Sequence, residues 1–286
     1  MSQELVLAEV EQALGVRPLA VGPLSGGCVG EVYRADLPGG EKVVVKRDQR
    51  PSPNLDLEGY MLRYLSAHSR LPVPAVLHDD PRLLIITFLA GSGSVNAAAE
   101  QDAAELLAEL HQVTAPAYGL ERDTLIGSLP QPNPWTANWL DFFREQRLLY
   151  MAGEARRAGQ LPAHFLPRIE QLAVRLGDWL PADGRPALIH GDIWGGNVLA
   201  AAGRITGFVD PAIYYAAPEI ELAFITLFNT FGATFFDRYG EMRPLDATFW
   251  RERRHLYNLY PLLVHVRLFG GGYVTSVDRT LRQFGC

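Results

Sequence analysis

The sequence predicts an α+β protein of two lobes, a small antiparallel β-sheet lobe with one main helix followed by a larger α-rich lobe. Three observations predict it. Short runs of β-branched and alternating apolar residues, broken by Gly- and Pro-containing turns, are concentrated in the first ninety residues. The run Leu89-Ala90-Gly91-Ser92-Gly93-Ser94 is rich in small residues and reads as a linker. Beyond it, apolar residues recur at spacings of three and four, the helical period, except around one short hairpin after residue 186. The boundary is therefore set at residue 89, giving lobes of residues 1–89 and 90–286. A chain of 286 residues is long for a single core, which also favours two lobes.

The elements follow in order. Residues 1–14 read as a capping helix. Residues 16–24 and 30–37 read as strands around a Ser25-Gly26-Gly27 turn, and 41–47 as a third strand after the turn Pro38-Gly39-Gly40. Asn54 is placed to cap a helix through His68, with Leu55, Leu57, Met61, Leu62 and Leu65 as its apolar stripe. Residues 76–78 and 83–88 complete a five-stranded sheet. The second lobe begins with helices at 98–114, 135–153 and 164–180. Strands at 186–189, 198–200 and 205–209 interrupt them, and helices resume at 219–230, 234–239, 247–266 and 274–284.

The chemistry concentrates in that interruption. His190-Gly191-Asp192-Ile193-Trp194-Gly195-Gly196-Asn197 is followed by a strand ending in Val209-Asp210. Phosphoryl transfer needs a carboxylate to receive the acceptor hydroxyl proton. It also needs an amide oxygen and a second carboxylate to hold Mg²⁺ against nucleotide phosphates. The order His-x-Asp-x4-Asn, then Asp, supplies Asp192 as the catalytic carboxylate, with Asn197 and Asp210 as metal ligands. His-Gly-Asp alone is a common turn, but here strands flank it and place both aspartates at the edge of one hairpin. Upstream, Lys46 closes the run Val43-Val44-Val45, where a third-strand lysine would bridge the α- and β-phosphates of ATP. A strand-end lysine is otherwise ordinary surface. Its expected partner is Glu58 on the following helix, with Asp56 a rival. Ser25, Gly26, Gly27 and Cys28 read as a phosphate-covering turn, since glycine lets backbone N–H groups approach phosphate oxygens.

These motifs resemble the fructosamine kinases, or ketosamine 3-kinases, of the aminoglycoside and choline kinase superfamily, whose fold is protein-kinase-like. The carriers are the loop at 190–197 with Trp194, Asp210-Pro211-Ala212, Tyr214-Tyr215 and Glu219-Ile220-Glu221-Leu222-Ala223. Ser25-Gly26-Gly27-Cys28, Leu129-Pro130-Gln131-Pro132-Asn133, Trp139, Phe142-Phe143 and Phe269-Gly270-Gly271-Gly272-Tyr273 extend it over nearly the whole chain. The resemblance implies an ATP- and Mg²⁺-dependent kinase that phosphorylates the 3-hydroxyl of a ketosamine, free or protein-linked, in deglycation. It implies adenine contacts at the Thr87 carbonyl and the Leu89 N–H, although many relatives of the fold carry Glu in place of Thr87. Trp194 and Glu219 are expected at the substrate. Trp194 packing beneath its loop and an acid at 219 or 221 merely anchoring the loop are the alternatives. Trp135, Trp139 and the Gly270–Tyr273 turn are pocket walls by resemblance, or else core anchors and a helix stop. His190 supports the loop. Cys28 is either a small loop residue or an oxidisable thiol that also allows a redox-linked dimer in place of a monomer. Competing readings are a kinase of another small alcohol, such as choline or an aminoglycoside, and an inactive nucleotide-binding module.

Composition narrows the classes. Net charge is −6 and pI about 5.7, against a nucleic-acid partner. Two cysteines, Cys28 and Cys286, argue against a disulfide-built secreted fold. The N-terminus lacks the basic segment of a signal peptide, and no apolar run approaches the roughly 20 residues of a membrane helix. The expectation is a cytoplasmic enzyme.

Overall fold

The structure, a computed structural model, describes residues 3–24, 30–91 and 94–286. It begins with helix α1 (Gln3–Leu14), strands β1 (Ala20–Pro23), β2 (Glu31–Asp36) and β3 (Lys42–Arg47), helix α2 (Leu55–His68), and strands β4 (Val76–Asp79) and β5 (Leu83–Thr87). The five strands form one antiparallel sheet in the order β1-β2-β3-β5-β4. Strand residues alternate between faces. Accordingly Val43 and Val45 of β3 pack with Val6 and Val10 of α1, whereas Val44 joins Leu55 and Leu62 of α2 on the other face. The same parity decides the charged residues that follow. Lys46 shares the α2 face with Val44, and Arg47 turns toward α1, where Nε meets Glu9 at 2.6 Å.

Asn54 occupies the expected cap position, but its side chain makes no cap bond and instead accepts from Arg50 at 2.9 Å. Side-chain caps form at Asn96 and Asn138. Helix α3 (Ala97–Leu110) follows, then a hairpin of β6 (Thr124–Ile126) and β7 (Leu129–Gln131). The segment expected as one helix over 135–153 is α4 (Trp139–Phe142), a wide π-helical stretch Phe143–Leu149 and α5 (Tyr150–Arg157). α6 (Phe165–Val174) precedes β8 (Ala187–Ile189), β9 (Val198–Ala201), β10 (Arg204–Phe208) and β11 (Tyr214–Ala216). Strands β9 and β10 pair as the expected hairpin, and β11 pairs with β8. The chain ends in α7 (Glu219–Leu227), α8 (Ala233–Met242), α9 (Arg254–Tyr257), α10 (Leu259–Phe269) and α11 (Gly272–Gln283). The helix expected over 247–266 is broken, with a π-helical stretch Phe249–Arg253 before α9.

The largest apolar core runs through the helical part and includes Met61 and Leu65 of α2, so that helix is packed into both halves. The stretch after β5 lies directly on the β9–β10 hairpin. A Cβ at Gly91 would stand 2.6 Å from Thr206 Oγ1, and one at Gly207 2.2 Å from Leu89 Cδ1. Among the described residues no helix is long and apolar enough to cross a membrane.

Candidate active site

Strand β8 delivers the chain to the loop at 190–197. Gly191 has φ +86°, and a Cβ there would stand 2.1 Å from the Ala212 carbonyl oxygen, so only glycine permits this approach. The Ala212 N–H donates to the His190 carbonyl at 2.7 Å, which stitches the loop to the segment after Asp210. The Asp192 N–H donates to His190 Nδ1 at 3.3 Å. Asn197 Nδ2 donates to both Oδ2 and the backbone carbonyl of Asp192, each at 2.9 Å. That fixes the amide so that its oxygen is the end left for a ligand. Asp210 has φ +54°, an uncommon conformation for a non-glycine residue and one kept only where the surroundings enforce it. Asp192 and Asn197 thus enter the β9–β10 hairpin and Asp210 leaves it, at the same end.

Lys46 reaches this end from the sheet. Its Nζ donates to Glu58 Oε1 at 2.6 Å and to Asp210 Oδ1. Lys46, Glu58, Asp192, Trp194, Asn197 and Asp210 all line one cleft. Asp56, the rival partner, is not among the residues lining it. Burial alone would lower the Lys46 pKa, but the charges of Asp210 and then Glu58 outweigh it and the ammonium is held firmly. Burial pushes Glu58 up, against the pull of Lys46. Asp192 is half-buried. Burial, then the nearby charge of Asp210, lift it to about 7, with the Asn197 hydrogen bond opposing. His190 is fully buried, and burial brings it down to about 4 despite Glu221 and Asp210. It is a neutral ring that braces the loop.

Two acids on the first turn of α7 do different work. Glu221 is buried, accepts from the Gly191 N–H at 2.7 Å and bonds His111 Nε2 at 2.8 Å. His111 in turn meets the Tyr239 hydroxyl at 2.8 Å. Glu221 is therefore the loop anchor. Glu219, expected at the substrate, is instead held by Arg253 in a two-point ion pair, with Nε and Nη2 each at 2.7 Å. It lines neither the cleft nor the cavity beside it. Sequence reading missed His111 and Arg253, which lie 110 and 34 positions from their partners and carry no local motif.

Trp194 is 39% exposed, so it is not a packing residue beneath the loop. Its indole lies over Gly196, where a Cβ would come within 2.3 Å of the ring. Trp194 and Asp192 also line a second cavity of about 280 Å³, walled largely by apolar and aromatic side chains of α7, α10 and Tyr273. Of the expected walls, Tyr273 lines this cavity. Trp139 is a core residue, 1% exposed, whose Nε1 donates to Tyr257 at 3.2 Å, and Trp135 lies against Tyr215. Gly270 and Gly271 end α10 with φ of +62° and +59°. Thr87 ties β5 to Ala75 through its N–H and its Oγ1, each at 2.9 Å, and Leu89 covers Gly207 at the same edge of the hairpin. Ser25, Gly26, Gly27 and Cys28 lie outside the described residues. Gly30, just after them, has φ +77° and no room for a Cβ against the Arg47 carbonyl.

The donor set suits Mg²⁺, which prefers hard oxygen ligands. Asn197 and Asp210, an amide and a carboxylate, line one cleft. Among the described residues, no group of three or more His, Cys, Asp or Glu is placed to hold a metal alone. A Mg²⁺ here would draw its other ligands from water and phosphate oxygens, as nucleotide-bound Mg²⁺ does.

A family model described as fructosamine kinase matches residues 4–284. This chain belongs to the fructosamine kinase family. Among curated proteins, it is 37% identical over 269 residues to a probable ketoamine kinase of a Synechocystis strain, covering 91% of this chain and 88% of the relative. Among solved structures, a putative fructosamine-3-kinase of Thermobifida fusca superposes with a TM-score of 0.87 at 31% identity, over 97% of each chain. An aminoglycoside phosphotransferase in ternary complex with ADP and hygromycin B superposes with a TM-score of 0.71 at 18% identity, covering 98% and 99%, and shares the fold. This member of the fructosamine kinase family is a phosphotransferase with an alcohol acceptor, built on the bilobal protein-kinase-like fold.

Proposed function

We propose that this fructosamine kinase transfers the γ-phosphoryl group of ATP to the 3-hydroxyl of a ketosamine, a fructosamine or ribulosamine. The observation that carries the reading is the single cleft holding Lys46, Asp192, Asn197 and Asp210 beside an acceptor-sized cavity that Asp192 and Trp194 also line. Asp192 orients the acceptor hydroxyl and takes its proton. A carboxyl lifted to about 7 matches that task near neutral pH. Lys46 neutralises the phosphates, with Glu58 fixing its ammonium. Asn197 and Asp210 hold Mg²⁺, which balances charge developing between the β- and γ-phosphates. Adenine is assigned to the Thr87–Leu89 edge and the phosphates to the Ser25–Cys28 turn. Glu221 holds the catalytic loop, and Trp194 offers the sugar a flat face. The lobes are assigned as residues 1–89 and 90–286, and the enzyme to the cytoplasm, on its two-cysteine composition.

The cavity also speaks against a polycationic acceptor such as an aminoglycoside. Of the α7 acids, Glu219 is taken by Arg253 and Glu221 by His111 and Gly191. The test is ATP consumption with Mg²⁺ and a panel of a fructosamine, a ribulosamine, choline and kanamycin. Turnover on ketosamines alone, reduced about 100-fold or more in Asp192→Asn, is the expected result. Turnover on choline or kanamycin alone refutes the substrate. ATP binding without turnover on any acceptor supports an inactive module.

A further inference from the structure

The cavity beyond Asp192 carries a statement about the acceptor's amine half. At about 280 Å³ it lies near the lower end of the roughly 300–1,000 Å³ typical of small-ligand pockets. It is continuous with the reaction site, because Asp192 and Trp194 line both spaces. Its far walls are Phe224, Phe228, Val264, Leu268, Phe269 and Tyr273. Among the described residues, the acids lining it are Asp192 and Glu221 alone, and no Lys or Arg lines it. Glu221 has both oxygens engaged. Asp192 stands at the end shared with the cleft, where the hydroxyl must sit.

Two further groups set the polarity of the walls. His265 lines the cavity and is surrounded by the rings of Phe228, Tyr273 and Phe269, with centroids 5.0, 4.8 and 5.7 Å away. Its Nδ1 lies 2.8 Å from the Pro261 carbonyl, which can only accept, so that nitrogen carries the proton. Burial holds the ring below its ordinary pKa, and it is neutral at pH 7. Behind the wall, the fully buried Arg147 sets its guanidinium carbon 3.9 Å from the ring centroid of Tyr214, a cavity residue. Arg147 bonds Asn133 Oδ1 at 2.6 Å and the Pro132 carbonyl at 2.7 Å, and among the described residues none of its side-chain bonds goes to a carboxylate. A cationic tail in the cavity would lose its hydration, would find carboxylates only in Glu221, whose oxygens are engaged, and in Asp192 at the reaction end, and would have the Arg147 charge behind the Tyr214 wall. An apolar tail would gain by leaving water.

Building on the ketosamine reading, we infer that this cavity binds the amine-borne substituent of the acceptor, and that it selects an uncharged apolar group, aromatic or branched aliphatic, over a charged chain such as that of lysine. The preferred substrates are then small adducts of apolar amines. Phe228, half-buried at the end of α7, is the specificity residue most open to replacement.

The test is equilibrium binding, by calorimetry, of three ribulosamines to the full-length enzyme: those of benzylamine, of methylamine and of the lysine ε-amine with its α-groups free. Phosphorylation of each is followed in parallel. The benzylamine adduct should bind at least about tenfold more tightly than the lysine adduct, with methylamine between. Phe228→Glu should erase that gap, and Phe228→Ala should narrow it. Near-UV circular dichroism of both variants establishes that they are folded. Equal binding of the three adducts, tightest binding of the lysine adduct, no binding of any, or a gap unchanged in both folded variants would overturn the inference. If the benzylamine adduct binds tightest but none is phosphorylated, the pocket chemistry stands and the ketosamine kinase reading falls.

Discussion

Replacing Lys46 by Met tests the charge arrangement at the centre of the site. The substitution keeps the length and apolar stem of the side chain and removes a buried ammonium that bonds both Glu58 and Asp210. Breaking a buried pair by removing one partner typically costs about 3–5 kcal/mol, because the other charge is left uncompensated. Here the loss has a ceiling. Glu58 already sits above its ordinary pKa through burial and can escape by taking up a proton. Protonating a carboxyl with an ordinary value of 4.5 at pH 7 spans about 2.5 units, or about 3.4 kcal/mol at 1.36 kcal/mol per unit. The loss should therefore lie near 3 kcal/mol at pH 7. The sign of its pH dependence follows. In the variant the folded-state pKa of Glu58 is raised further above its unfolded value, so the folded state binds more protons through this window and stability falls as pH rises. Urea unfolding of wild type and variant at pH 5.5 and pH 8 should show a deficit that is smaller at the lower pH. On the proposed role of Lys46 as the fixed cation at the phosphates, turnover should drop by at least about 100-fold at either pH. A deficit independent of pH, or turnover within a few-fold of wild type, would refute the reasoning.

Three other substitutions separate support from chemistry. Glu221→Gln should cost about 2–3 kcal/mol, the scale of buried hydrogen bonds to a charged group, seen as a melting temperature lower by about 3–5 °C and a kcat reduced with it. An unchanged melting temperature would remove Glu221 as loop anchor. Glu219→Gln should lower stability by about 1–2 kcal/mol by weakening its contact with Arg253, while leaving the acceptor KM within about twofold. A rise in KM of about tenfold with unchanged stability would return Glu219 to the substrate. Gly191→Ala forces a Cβ to within 2.1 Å of the Ala212 carbonyl at φ +86° and should abolish turnover in a protein that still folds. Full activity in that variant would mean that the loop relaxes freely and that its close packing on Ala212 is dispensable.

What the sequence made legible was periodic or local. The β-branched run Val43-Val44-Val45 made the strand that Lys46 closes legible, whereas the face on which the lysine lies came from the packing of its neighbours. The loop at 190–197 and Asp210 were readable because their spacing is short and a hairpin closes it. The hairpin of β6 and β7 and the strand β11 were not seen, since each strand has three residues, too few for a period to register, and none leads into a motif such as the 190–197 loop that marks the equally short β8. Tyr214–Ala216 is buried throughout, so it shows no alternation at all. The choice between Glu219 and Glu221 could not be made from spacing. Residues two apart on a helix point roughly 200° from one another, so one faces the loop and the other faces away, and only the packing of α7 tells which. The partners that decided it, His111 and Arg253, come from distant segments.

The hairpin that carries Asp192, Asn197 and Asp210 has little stability of its own, for two short strands rarely hold in isolation. Its geometry is imposed from outside. From the helices, Glu221, itself held by His111, grips the Gly191 N–H. From the sheet, Lys46 grips Asp210. Along its length, Leu89 lies on Gly207, and the Phe208 N–H donates to the Pro72 carbonyl at 2.8 Å. These restraints come from different parts of the chain, so a change in how the sheet sits on the helices would move Asp210 relative to Asp192. In-line transfer depends on that relation, because positioning supplies much of the rate in phosphoryl transfer. The positive φ of Asp210 is the local sign of this over-determination, a strained residue held at the junction where the sheet and the loop at 190–197 both make contact.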